Sequence, residues 1–377
     1  MRDPTKELIG RKKLELDTPC LVIDLDLLDE NLQKMQAWVK AAGKALRPHA
    51  KTHKCSTLAK MQVANGAIGI CAAKVSEAEA LINAGISGVL ITGPVAGREK
   101  INRMVSLLER APFLMAVVDH PATIALLQGR LAENGRQLDV LLDLDVGQRR
   151  TGVPPARAAD LAEAILSSGN LRLRGVQAYA GHVQHIPRYE DRKAASREAL
   201  GKAAAVFKQM RQRVESCTVF SASGTGTARI DLSSPELTEL QAGSYALMDA
   251  EYLAIESADG SDAADYHPAL TMLTTVVSGP HGRQVTVDAG LKALYRDGGR
   301  PRVLNPEYGK LQYDWFGDEY GKLSAPNRAT LLPELGMVLE MVVSHCDPTV
   351  NLFDRLHITR AGKLVDVWPI DLRGRCQ

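Results

Sequence analysis

A chain of 377 residues with 45% hydrophobic content is long enough for two domains with substantial cores. Its formal charge of +2 comes from interleaved acids and bases, which leaves no massed basic surface for nucleic acid or membrane. No apolar run approaches the length that spans a bilayer and the N-terminus has no apolar signal core, so a soluble, cytoplasmic protein is expected.

Residues 19–25 (PCLVIDL) read as a strand. Residues 27–42 read as a helix with Leu28, Leu32, Met35 and Val39 on one face. Apolar strand-like runs then recur at 45–50, 67–72, 88–92, 113–118, 138–144, 173–179, 218–222 and 237–242, with helical patterns between most of them. Eight strand-helix units match the size of a (β/α)8 TIM-type barrel. A doubly wound sheet is the weaker alternative, because no Gly-rich loop follows the first strand. After Tyr252 the rhythm changes to short β-like runs at 269–277, 284–288, 337–343, 355–359 and 363–369, separated by turn signals. The expected organisation is an α/β barrel over 27–250 and a mostly β domain made of 1–26 plus 251–377.

In such barrels the working side chains stand at the C-terminal ends of the strands. Strand one ends in Arg47-Pro48-His49-Ala50-Lys51-Thr52-His53-Lys54. Pro48 discourages helix before it, and an amphipathic helix follows at 55–64. Lys51 at that corner is a candidate Schiff-base former, with Lys54 as its competitor. Strand five brings Arg149 and Arg150 to the rim, and strand six brings Tyr179, His182 and His185. The loops after strands seven and eight carry Gly224, Thr225, Gly226, Thr227, Gly243, Ser244 and Tyr245. Small residues there let backbone N–H groups approach an anion closely, and barrels commonly bind phosphate at this place. Lysine, arginine and phosphate seat together describe a cradle for pyridoxal phosphate.

The motifs RPHAKTHK, DVGQRRTGV, YAGH, SGTGT and GSY resemble the alanine-racemase-like pyridoxal-phosphate enzymes, and within them the D-threonine aldolase and D-serine dehydratase group. The resemblance implies Lys51 as the lysine that carries the cofactor and Arg150 as partner of its phenolic oxygen, with Arg149 as its competitor. It further implies that the strand seven and eight loops hold the phosphate, that the first strand belongs to the β domain, and that the enzyme is a homodimer. Tyr179 and Tyr245 are expected to face the cofactor.

The six scattered cysteines include no CxxC pair, so neither a disulfide framework nor a cysteine-only zinc site is indicated. By resemblance, a metal is expected at His345-Cys346-Asp347. Residues two apart in an extended segment point the same way, so His345 and Asp347 are expected to share one ion while Cys346 faces away. Aspartate where the dehydratases have cysteine suits a harder ion, Mn²⁺ first, with Mg²⁺, Co²⁺ or Zn²⁺ as alternatives. It also favours an aldolase acting on D-threonine and other D-3-hydroxy-amino acids, giving glycine and an aldehyde. The resemblance makes His185 the candidate base, with His182 as its alternative, and His49, His53 and His357 are expected to be structural. The rival reading is β-elimination by a D-serine or D-threo-3-hydroxyaspartate dehydratase. A non-catalytic pyridoxal-phosphate carrier is disfavoured by the second domain.

Overall fold

The computed structural model describes residues 7–258 and 265–377. Two stretches of the expected β-rich unit, 1–6 and 259–264, lie outside the described residues. After β1 (Cys20–Asp24) and α1 (Leu25–Ala41), strand and helix alternate through β2 (Ala45–Leu46), α2 (Ser56–Ala64), β3 (Cys71–Ala72), α3 (Val75–Asn83), β4 (Leu90–Ile91) and α4 (Arg98–Leu107). The series continues through β5 (Met115–Val118), α5 (Pro121–Glu133), β6 (Leu138–Asp143), α6 (Ala158–Leu166) and β7 (Leu171–Ala178). It ends with α7 (Tyr189–Arg213), β8 (Val219–Ala222), α8 (Ala228–Asp231) and β9 (Glu239–Leu240).

Strands β2 to β9 form one parallel sheet in the order β2-β9-β8-β7-β6-β5-β4-β3. A parallel bridge between His49 and Cys71 joins its two ends, and the Cys71 N–H donates to Pro48 O at 2.9 Å. This is a (β/α)8 barrel, with a strand in each of the eight runs expected. Period-two alternation sorts its strand residues into two cores. Met115, Val117 and Leu141 cluster with Cys71 and Leu90. Ala116, Val118, Val140 and Leu142 instead join the large core that includes the helices. Helix α1 starts at Leu25 because the Asp24 carboxylate caps the N–H groups of Asp26 and Leu27. Its Leu28, Leu32, Met35 and Val39 are buried, as the periodicity predicts.

The later strands are β10 (Leu270–Ser278), β11 (Gln284–Val287), β12 (Arg302–Val303), β13 (Gln312–Trp315), β14 (Gly321–Ser324) and β15 (Val338–Val342). Helix α9 (Cys346–Val350) and strands β16 (Arg355–Arg360) and β17 (Lys363–Pro369) follow. They build a second sheet in the order β13-β14-β11-β10-β1-β16-β17, with β15 on β10 and β12 on β15. Strand β1 is central to it, antiparallel to β10 and parallel to β16. Among the described residues no helix is long and apolar enough to cross a membrane.

One local expectation is corrected. The His345 to Asp347 segment is not extended: His345 is the N-cap of α9 and Asp347 lies in its first turn. Pro348 is compatible with that helix because it sits where N–H groups have no intrahelical acceptor.

Candidate active site

A cavity of about 500 Å³ lies at the C-terminal ends of the barrel strands. Lys51 enters it from a single 3-10 turn, Ala50–Thr52, immediately after β2. That turn is held by the His49 ring, whose Nδ1 accepts the Lys51 N–H at 3.2 Å while Nε2 meets the Thr92 hydroxyl at 3.0 Å. The Lys51 side chain is 38% exposed, and its ammonium pairs with the Asp347 carboxylate. Burial favours the neutral form of each, but the pairing wins: the ammonium is held above its usual range and the carboxyl, which also faces His345, well below its own. Lys54 is elsewhere. It is buried against Glu77 at 2.5 Å, and Glu77 also accepts the Ala73 N–H, so this lysine belongs to the packing of α3. Arg47 is equally structural, a two-bond partner of Glu239 at 2.9 Å for each bond.

Arg150 lines the cavity with its guanidinium 5.7 Å from the centre of the Tyr179 ring, which lines it too. Arg149 does not; it is exposed, with φ 56° and its N–H donating to the Asp145 carboxylate. Polar side chains from β6, β7 and the end of β9 line the cavity in a chain of hydrogen bonds. Gln241 Nε2 donates to Gln177 Oε1 at 3.0 Å, and Gln177 Nε2 donates to Asp143 Oδ1 at 2.9 Å. Burial pushes the Asp143 carboxyl up to about 6, against the hydrogen bonds from Gln177 and Thr151. Its Oδ2 is buried without a protein partner.

The expected phosphate seat divides in two. Gly224, Thr225, Gly243 and Ser244 line the cavity. A Cβ on Gly243 would come within 2.8 Å of the backbone His49 O, so that loop needs glycine to pack this closely, and one on Gly224 would meet the Gln184 side-chain amide at 2.5 Å. Gly226, Thr227 and Tyr245 are turned to other work. The Gly226 N–H donates to Gln184 Oε1 at 3.1 Å and the Thr227 hydroxyl to Asp231 at 2.5 Å. Tyr245 is 1% exposed. Its hydroxyl accepts from Gln62 Nε2 at 3.2 Å, and its N–H donates to Thr225 Oγ1 at 2.9 Å.

Beside Lys51 stand the imidazoles. His345 Nε2 lies 3.8 Å from Asp347 Oδ1, and its Nδ1 lies 3.2 Å from Asp297 Oδ2. Cys346 does face away, though for a helical reason: its N–H donates to Asp249 Oδ2 at 3.0 Å and its thiol to Met248 O at 3.1 Å. His185 packs against Tyr252 with ring centres 4.4 Å apart and planes tilted by 52°. Burial, then the positive fields of His345 and Lys51, lower its pKa to about 4. His182 instead lies near Gly147, where a Cβ would come within 3.0 Å of its Nε2. His53 and His357 are structural, their rings bonded to Gln62 with the Cys55 N–H and to Leu21 O respectively. His49 both supports the turn and lines the cavity.

The residues present fit both groups that the sequence implies. For pyridoxal phosphate there are an amine, a guanidinium and two close-packed glycine loops around one cavity. For a divalent ion there are an imidazole and a carboxylate facing each other, with Asp347 Oδ1 buried and unpartnered. Among the described residues no three His, Cys, Asp or Glu side chains converge as a ligand set, so the pair stands as two protein donors. Asp143, Gln177, Asp249, Glu251, Tyr252 and Asp297 are the neighbours that sequence reasoning missed. Asp249, Glu251 and Tyr252 follow the last barrel strand, so the rule about strand ends reaches them once the search is carried past Tyr245.

Residues 23–251 match the alanine racemase N-terminal domain family, and residues 269–359 a putative serine dehydratase domain. The chain is 40% identical over 366 residues to a D-threonine aldolase of Arthrobacter sp, covering 97% of this chain and 95% of that protein. It is 36% identical over 374 residues to a 3-hydroxy-D-aspartate aldolase of Paracoccus denitrificans (strain Pd 1222), covering 98% and 95%. The crystal structure of a D-threonine aldolase from Filomicrobium marinum superposes with a TM-score of 0.93 at 36% identity, over 100% of both chains.

Proposed function

The chain belongs to the alanine racemase N-terminal domain family, within its D-threonine aldolase group, and from that premise we propose that it cleaves D-threonine and other D-3-hydroxy-amino acids to glycine and an aldehyde. It is a lyase by the same relationship. The observation that carries the finer reading is the convergence of Asp347 and His345 on Lys51, which lines the cavity, with carboxylate rather than thiolate beside the imidazole. That donor pair supports Mn²⁺ as the ion.

Pyridoxal phosphate would be held by Lys51 and would supply an electron sink at Cα, and a divalent ion would be held by His345 and Asp347 and would supply positive charge at the β-hydroxyl. The protein's own groups do the rest. Arg150 would hold the cofactor ring, and the loops at Gly224, Thr225, Gly243 and Ser244 would seat its phosphate. His185 is neutral at pH 7, so its Nε2 can take the β-hydroxyl proton as the Cα–Cβ bond breaks. Tyr179 and Tyr252 wall the cavity against water. Lys51, in its ammonium form, would donate the proton that Cα needs.

A homodimer is part of this reading. Leu291, Phe316 and Tyr320 are exposed in the loop after β11 and the turn between β13 and β14, where a second copy would cover them. Six free cysteines, five of them buried, suit a reducing cytoplasm.

The test is to load purified protein with pyridoxal phosphate and Mn²⁺ and supply D-threonine and D-serine separately. Acetaldehyde plus glycine from D-threonine, lost with a chelator, is the expected result. Formation of 2-oxobutanoate or pyruvate instead would make the enzyme a dehydratase and overturn the aspartate argument.

A further inference from the structure

His185 Nδ1 lies 3.4 Å from Glu251 Oε1, while its other nitrogen, Nε2, is buried with no protein partner. Glu251 reaches this position from the loop that follows β9. Its second oxygen lies against the Asp297-Gly298-Gly299 turn, where a Cβ on Gly298 would come within 2.8 Å of it. The same turn supplies Asp297 to Nδ1 of His345. Both imidazoles of the site therefore have a carboxylate at Nδ1 and keep Nε2 for something else, the arrangement by which a carboxylate fixes which ring nitrogen carries the proton.

We infer that Glu251 is a positioning residue for His185: it accepts the Nδ1–H hydrogen bond, and so holds the neutral imidazole in the tautomer whose lone pair is on Nε2. The inference rests on His185 being the base of the proposed cleavage. Without Glu251, the solvated imidazole tautomers are close in energy. A proton on Nε2 would block the nitrogen that must receive the β-hydroxyl proton. Tyr252, packed at a tilt against the ring, restricts its rotation but cannot choose between its nitrogens. The sequence places Glu251 next to Tyr252, so one loop supplies both constraints.

Two readouts test this. The first uses protein labelled with ¹⁵N-histidine and no substrate, with the His185 signals identified by their loss in His185→Gln. A long-range ¹H–¹⁵N spectrum should show the Nδ1–H tautomer in the wild type and a shift towards Nε2–H in Glu251→Ala. An Nε2–H tautomer in the wild type, or a spectrum unchanged in Glu251→Ala, overturns the inference whatever reaction the enzyme performs. The second readout is kinetic. Glu251→Ala should lower kcat by about 10- to 100-fold, within the roughly 10² to 10⁴ that a general base contributes, and leave KM nearly unchanged. Glu251→Gln, whose amide oxygen still accepts from Nδ1–H, should recover part of the loss. In a His185→Ala background Glu251→Ala should cost nothing further, and full additivity there would overturn the inference. A wild type that cleaves no D-threonine defeats the aldolase reading instead, and leaves the tautomer measurement to decide on Glu251.

Discussion

Lys51 and Asp347 form an ion pair across 296 positions of sequence, joining the end of the first barrel strand to the first turn of α9. The pair sets the state of the lysine. Asp347 holds the ammonium charged, and an amine must be neutral to attack the aldehyde of pyridoxal phosphate. Asp347→Asn removes that hold and half of the proposed metal pair. The expected outcome is faster cofactor capture by the apo-enzyme at pH 7, about tenfold for each unit by which the Lys51 pKa falls, together with loss of metal-dependent turnover. Stopped-flow absorbance on mixing with pyridoxal phosphate, beside a turnover assay with Mn²⁺, checks both. Capture no faster than in the wild type would mean that Asp347 does not control the lysine.

The two lysines of the RPHAKTHK motif should separate in a second experiment. Lys51→Ala should abolish both the lysine-bound cofactor absorbance and activity, with little change in unfolding free energy. Lys54→Ala leaves the Glu77 carboxylate buried without its partner, which typically costs about 3 to 5 kcal/mol. It should nevertheless still form the cofactor absorbance at low temperature. Urea denaturation beside the absorption spectrum distinguishes the two roles.

That division was beyond the sequence because position in a motif does not reveal burial. The barrel itself was legible: eight apolar runs alternating with helices dictate it, and short strands such as Leu90–Ile91 still show as apolar runs. Strands β13 and β14 were not, since in Gln312–Trp315 and Gly321–Ser324 only alternate positions such as Tyr313 and Leu323 are buried, and charges interrupt the pattern. The proposed metal pair could be named from the sequence as residues, but its geometry could not. A five-residue helix containing proline gives no periodicity, so His345 and Asp347 were joined by a strand argument although a helix N-terminus brings them together. Glu251 lay just past the strand-end residues considered, whereas Asp297 carried no motif and only the chain path puts it beside an imidazole.

Asp297 leads to the third prediction. Its carboxylate sits at His345 Nδ1, which would orient Nε2 toward Asp347 and raise its basicity as the proposed ligand. Asp297→Ala should weaken Mn²⁺ binding about 10- to 100-fold and leave affinity for pyridoxal phosphate unchanged. Titration of apo-enzyme with Mn²⁺, followed by activity and by electron paramagnetic resonance of the free ion, measures it. Chelator should silence the wild type, and added Mn²⁺ should restore it. Equal Mn²⁺ affinity in the variant and the wild type would remove Asp297 from the metal site.

The fourth prediction concerns pH and stability. His53 is fully buried. Its Nδ1 accepts the Cys55 N–H at 3.1 Å and its Nε2 meets Gln62 Oε1 at 3.3 Å, a neutral ring. Burial lowers its pKa from 6.5 to about 4. Below pH 6.5 the unfolded chain protonates this histidine while the folded chain does not, so its contribution is complete above pH 6.5 and is lost as pH falls toward 4. Three buried carboxyls, Asp143, Asp231 and Asp249, are pushed up to about 6 by burial and act in the opposite sense over the same range. The wild-type profile alone therefore mixes both effects, and the difference from His53→Asn isolates one. The stability gap between wild type and variant should close by about 1.4 kcal/mol for each pH unit between 6.5 and 4. Urea denaturation at pH 7 and pH 5 measures the gap, and one that stays constant would show that His53 is not held neutral in the fold.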